Sequence, residues 1–136
     1  MNIEEFREYC LSRPGVTEET PFGVDTLVFK VGGRIFALTD MNTFESINLK
    51  CDPEVAVQLR EQYEVVKPGY HMNKRHWNTI YMPNTIPDLV LKQWIDQSFY
   101  LVFSKLTRGQ KLAVSVQAEP QPGIPLGTPN NKTELS

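Results

Sequence analysis

"TLVFKVGGRIFALT", Thr26 to Thr39, is the stretch that decides the fold. A run rich in β-branched and aromatic residues ends at Val31, and a second such run starts at Arg34. Between them stands Gly32-Gly33, a two-residue hairpin signal, because tight hairpin turns need backbone conformations with φ > 0. No helical pattern follows these glycines, so they do not form a phosphate cradle. "ESINLKC" continues the β reading, with Ile47 and Leu49 on one side. Leu27 to Leu49 therefore reads as an antiparallel meander, and β character extends upstream through "VTEETPFGVD", Val16 to Asp25.

Helical patterns flank the meander. Asn2 and Glu5 have capping-box spacing, and Ile3, Phe6, Tyr9 and Cys10 recur on one face until Pro14-Gly15. In "DPEVAVQLREQY", Asp52 is placed to cap, Pro53 to open the first turn, and Ala56, Leu59 and Tyr63 to mark one face. A long helix is expected from Asp88 to about Leu106, with Leu91, Trp94, Ile95, Ser98, Leu101, Val102 and Lys105 sharing a side and "TRGQK" closing it. The expected fold class is α+β, an antiparallel β-sheet with helices packed on it. Residues 1–111 form one domain in this reading, and residues 112–136, with their prolines and no periodicity, form a Pro-rich disordered tail.

Length and composition fit that organisation. A chain of 136 residues, 40% hydrophobic and 22% charged, suits one globular domain. No apolar run reaches the length of a membrane span, and "MNIEEFREYC" lacks the basic and apolar regions of a signal peptide. A cytoplasmic protein without membrane contact is expected, as a monomer or weak homodimer. Cys10 and Cys51 are too far apart to suggest a disulfide framework or zinc spacing. Cys51 stands beside Lys50 before a helix start, where a thiolate is favoured, although packing is the plainer role.

Charge is unevenly distributed. Residues 1–64 carry six Lys/Arg against twelve Asp/Glu, whereas residues 65–111 carry seven against two. No carboxylate occurs between Val65 and Pro87. Within that span, "KPGYHMNKRHWNTIYM", Lys67 to Met82, holds both histidines, a tryptophan and two tyrosines. Pro68-Gly69 and Asn73-Lys74 suggest turns, and "HWNTIYM" alternates as a strand, with Trp77, Thr79 and Tyr81 on one side and His76, Asn78, Ile80 and Met82 on the other.

Lys and Arg meet phosphates, Asn and Arg read base edges, and aromatic rings stack on bases. DNA is accordingly the expected partner. Lys67, Lys74 and Arg75 would position phosphates, with Asn73, His76 and Asn78 as polar contacts. Tyr70 and His71 would supply stacking or edge contacts, and Lys105, Arg108 and Lys111 would extend the patch. Trp77 belongs to the same segment, yet a large aromatic in an alternating strand also suits the core. A protein-interaction or small-anion-binding module using the same surface is the alternative.

Other chemistry has little support in the sequence. Nucleotide-binding, zinc-protease, serine-hydrolase and EF-hand motifs are absent. His71 and His76, five apart, fall on opposite faces of a strand, and Glu4, Glu5 and Glu8 read as a solvated helix face. No cofactor, metal site or catalytic constellation is expected, and hence no enzyme.

Three segments carry a family resemblance. "MNIEEFREYCLSRPGVTEETPFG", "KPGYHMNKRHWNTIYM" and "LKQWIDQSFYLVFSKL" resemble the MmcQ/YjbR-like family of small bacterial proteins. The most specific pieces are Thr17 to Gly23 and His71 to Trp77, and the likeness covers about residues 1–111. Ser98 is followed by Phe99-Tyr100, a slight departure from the family's Ser-Tyr. The resemblance implies a fold shared with the frataxin/CyaY-like proteins, also described as a "double wing" DNA-binding arrangement. It implies His71, Lys74, Arg75, His76 and Trp77 as the contact region. The frataxin-like relation would instead put iron on the first helix, where the acids are few.

Overall fold

The computed structural model describes residues 1–117. Helix α1 (Ile3–Leu11) leads into β1 (Thr17–Glu19), β2 (Thr26–Val31), β3 (Arg34–Asp40) and β4 (Ser46–Lys50). Helix α2 (Pro53–Gln62) precedes β5 (Val66–Pro68) and β6 (Trp77–Tyr81), and α3 (Asp88–Ser104) and α4 (Arg108–Gln117) follow. The six strands form one antiparallel sheet in the order β1-β2-β3-β4-β6-β5. The expected α+β class and the meander are both present.

The helix starts follow the expected local chemistry. Asn2 and Glu5 exchange side chain–backbone hydrogen bonds of 2.8 and 2.9 Å. Asp52 accepts from the Glu54 N–H ahead of Pro53. Each bond satisfies a donor that the first helical turn otherwise leaves free. At the β2–β3 turn, Gly32 has φ 58°, and a Cβ there would stand 2.6 Å from the Leu106 side chain. Glycine at this position thus serves both the turn and the close approach of the chain beyond α3.

The main core lies between the sheet and helices α1 and α3. Phe6 meets Phe29 edge to face at 5.7 Å, and Phe36 meets Phe99 at 5.5 Å. Leu91, Trp94, Ile95, Ser98, Phe99 and Val102 are the buried side chains of α3. Phe99 is therefore an inward residue that the expected face lacked. Lys105, expected on that face, is exposed, and α3 ends at Ser104, two residues short of the expected Leu106.

The expected domain boundary at residue 111 is also corrected. The chain turns at Thr107 and enters α4, where the Thr107 hydroxyl accepts from the Gln110 N–H and the Gln110 amide oxygen accepts from the Thr107 N–H. This reciprocal cap starts a new helix rather than closing the old one. Val114 is buried in the core, so the ordered unit continues through residues 112–117. The remainder of the expected tail, 118–136, lies outside the described residues.

Ser98 fastens α3 to the sheet. The β3–β4 register runs from Thr39↔Ile47 to Ala37↔Leu49 and stops there. At the next position the Ser98 hydroxyl donates to the Phe36 carbonyl and accepts from the Lys50 N–H at 2.8 Å. Ser98 itself is 0% exposed, so water does not replace it. A buried backbone group left without a partner costs about 1–3 kcal/mol. Ser98→Ala is expected to lower the unfolding free energy by about that amount, read from a urea transition. A variant as stable as wild type would show that the two strands close on each other without the hydroxyl.

Candidate nucleic-acid interface

The segment from Gly69 to His76 joins β5 to β6 and is held by backbone-directed bonds. The Asn73 side chain accepts from the Arg75 and His76 N–H groups at 2.9 and 3.3 Å. The Tyr70 N–H donates to the Thr79 hydroxyl at 2.9 Å, and that hydroxyl donates to Asn48 at 2.6 Å. Gly69 lies so close to β6 that a Cβ would stand 2.8 Å from the Trp77 Cβ and 3.1 Å from its carbonyl. His71 adopts φ 59°, a left-handed conformation uncommon for a residue with a side chain, and its ring lies 4.0 Å from that of Tyr70.

Arg60, on the last turn of α2, organises this loop from beneath. Its Nε donates to the Asn78 side chain at 2.7 Å, and its Nη2 donates to the carbonyls of Lys74 and Trp77. The planar, forked guanidinium meets all three acceptors at once, which a lysine ammonium does not reproduce. The sequence gives no signal for this role, because Arg60 reads there as an ordinary helix-end cation.

The folded chain brings further cations to the same end of the sheet. Lys50 is the register partner of Trp77, and the Cys51 N–H donates to the His76 carbonyl at 2.7 Å. Arg34 opens β3 at this end. Lys105 follows α3, whose end passes over Gly32. Burial, then repulsion from Lys105 and Arg34, pushes the Lys50 ammonium below its ordinary pKa. None of these three cations has a carboxylate partner within salt-bridge distance among the described residues. At the opposite end Asp40 closes β3 and Glu45 precedes β4, whereas Asp52 and Glu54 at the start of α2 follow Lys50. Arg34 and Lys50 are thus additional members of the cationic surface, separated in sequence from the basic segment and gathered by strand pairing.

The expected contact residues divide by burial. Lys67, Tyr70, His71, Asn73, Lys74, Arg75, Lys105 and Arg108 are exposed, and Tyr70 is 65% exposed. His76 and Lys111 are half-buried. Lys74 is partly engaged inside the loop, where its Nζ donates to the Gly69 carbonyl at 3.0 Å. Asn78 is a correction. It is 2% exposed and bonded to Arg60 and the Ala56 carbonyl, so it supports the loop rather than facing a ligand. Trp77 is also buried, at 9% exposure, and packs rather than contacts. The expected alternation of β6 fails for the same reason: the loop covers one face and the helices the other, so Trp77 through Ile80 are all buried.

The Cys51 thiol is buried as well. Burial, then the Asp52 carboxylate, pushes its pKa up to about 11, which does not suit a thiolate nucleophile. Among the described residues no three His, Cys, Asp or Glu side chains form a metal-binding group, and no helix is long and apolar enough to cross a membrane.

Comparison with known proteins adds a family. The YjbR family model matches residues 11–101. The Escherichia coli O157:H7 protein YbdF, described as uncharacterised, is 38% identical over 106 residues, covering 77% of this chain and 87% of that protein. YjbR of Escherichia coli K12, also described as uncharacterised, is 32% identical over 100 residues, covering 73% and 85%. The crystal structure of Deinococcus radiodurans protein DR2400 superposes with a TM-score of 0.78 at 35% identity, covering 84% of this chain and 88% of that one. A Pseudomonas syringae protein gives a TM-score of 0.64 at 26% identity, covering 75% and 99%.

The role of Arg60 is open to direct test. Arg60→Leu is expected to cost about 1–3 kcal/mol, because the buried Asn78 side chain and the loop carbonyls lose a charged donor. Amide exchange across residues 70–76 should accelerate, while exchange in β2 and β3 should change only with global stability. Unchanged exchange in the loop would refute the anchoring role.

Proposed function

The chain belongs to the YjbR family, and on that premise we propose that it binds nucleic acid, duplex DNA first, through the cationic end of its sheet. The observation that carries this reading is the convergence of Arg34, Lys50 and Lys105, without carboxylate partners among the described residues, beside the loop that bears Lys74 and Arg75. Assembling like charges is unfavourable until a polyanion compensates them; burial lowers the pKa of the Lys50 ammonium first, and repulsion from Lys105 and Arg34 lowers it further. Asp40 and Glu45 at the other end of the sheet help to orient an acidic protein towards a polyanion.

Roles follow from exposure. Arg34, Lys105, Lys74 and Arg75 contact phosphates, with Lys50 deeper between them. Tyr70 and His71, adjacent and exposed, lie against bases or sugars. Asn73 keeps its amide nitrogen available while its oxygen holds the turn.

Four or five phosphate contacts give a log–log salt slope of roughly −3.6 to −4.5 on duplex DNA. Fluorescence anisotropy across a salt series is expected to show such a slope for the wild type. Arg34→Ala/Lys105→Ala and Lys74→Ala/Arg75→Ala, each checked for folding by circular dichroism, should be shallower by about 0.9 for each contact removed. Absence of salt-sensitive binding at low ionic strength, or equal slopes for all three proteins, overturns the proposal.

A further inference from the structure

A cleft of about 540 Å³ lies between the start of α2 and the outer side of α3, bordering the basic loop where the Cys51 N–H meets the His76 carbonyl. Its size falls within the range of small-molecule sites, roughly 300–1,000 Å³. Val55, Leu101, Tyr100 and Cys51 supply a largely apolar wall. Val55 and Tyr100 are 37% and 45% exposed, so apolar surface is open to solvent at the mouth. The charged groups that line it are two carboxylates, Asp52 and Asp96, with no lysine, arginine or histidine among the lining residues.

Asp96 is fixed from behind. The Tyr9 hydroxyl lies 2.9 and 2.8 Å from its two oxygens, and Arg13 Nη1 approaches one of them at 3.3 Å. These are two donors for a group with about four acceptor sites, so the carboxylate keeps capacity for a donor entering from the cleft. Tyr9 is held in turn under the Arg13 guanidinium at 4.5 Å from its ring centre. Burial raises the Asp96 carboxyl above its ordinary pKa, against the opposing effects of Arg13 and the Tyr9 bond. A cation in the cleft would offset that cost by favouring the ionised form. Asp52 uses one oxygen to cap Glu54, which leaves the other free.

We propose that this cleft is a binding site for a small molecule with an apolar body and a protonated amine, the body lying against Val55, Tyr100 and Leu101 and the ammonium meeting Asp96. The sign of the charge follows from the lining carboxylates, and the small size from the volume. The ligand class is opposite in charge to the polyanion proposed for the sheet end, so the two sites do not compete for one ligand.

Phenethylamine serves as the probe, with 3-phenylpropionate as an anion of similar shape and 2-phenylethanol as the neutral control. Each is titrated into the 15N-labelled full chain. The amine is expected to give saturable amide shifts at Cys51, Val55 and residues 96–101, and to bind at least about tenfold more tightly than the carboxylate, a modest charge discrimination of one decade. Val55→Trp, a change at an exposed helix position, should fill the cleft and abolish these shifts in a protein with an otherwise unchanged spectrum. Asp96→Asn should reduce the preference for amine over alcohol while leaving the alcohol's binding in place. The proposal is overturned by the absence of a saturable shift with the amine, by equal binding of the carboxylate, or by unaltered binding to Val55→Trp. Shifts at the same amides produced by a basic helical peptide but not by the amine would also overturn it, and would assign the cleft to a protein partner.

Discussion

The fold turns on one hydroxyl placed between two strands. β3 and β4 pair through three register positions, and the next Phe36–Lys50 position is bridged by Ser98 of α3. Helix and sheet share a hydrogen-bonding unit there, in addition to the apolar contacts of Phe99, Ile95 and Val102. Apolar packing alone tolerates small shifts along the helix axis. A bond to two backbone groups does not, because both lose their partners together when the helix slides. The position of α3 then fixes where its end passes over the β2–β3 turn, and so where Lys105 stands.

The cations divide into two populations with different physical duties. Arg60 has every neighbour it needs inside the protein, and its guanidinium holds the Asn78 amide and the loop carbonyls. Arg13 pairs with Asp96, Arg7 with Glu18 and Lys30 with Glu19. Arg34, Lys50 and Lys105 stand without such partners among the described residues, and the Lys50 ammonium is depressed by burial first and then by the other two. A count of net charge hides this division, because internal and external cations contribute alike to a total of −2.

Local chemistry made much of the architecture legible. The double glycine and the Asn2 and Asp52 caps each act within a few residues, so their signals survive in a single sequence. The Thr107-x-x-Gln110 cap was equally local, but the prolines beyond it obscured the helix. What depended on distant pairing was not legible. Arg34 and Lys50 join the cationic end only because strand pairing brings them there. Asn78 looks like a polar contact in a list of residues, and becomes a buried support once α2 delivers Arg60 to it. The basic segment is contiguous in the sequence and so was legible there, whereas burial decides which of its members face outward.

The sheet's two margins carry a consequence for how copies of this chain meet. Both edge strands, β1 and β5, are only three residues long. β5 ends at Pro68, which has no N–H to offer, and β1 is the sequence Thr-Glu-Glu. Short, charged or proline-ended margins are poor templates for strand addition. Continuous cross-strand growth from one molecule to the next is therefore disfavoured on both sides. Self-association of this domain has to proceed through side-chain surfaces, and the protein resists the ladder-to-ladder route into insoluble aggregates that an open six-stranded sheet would otherwise offer.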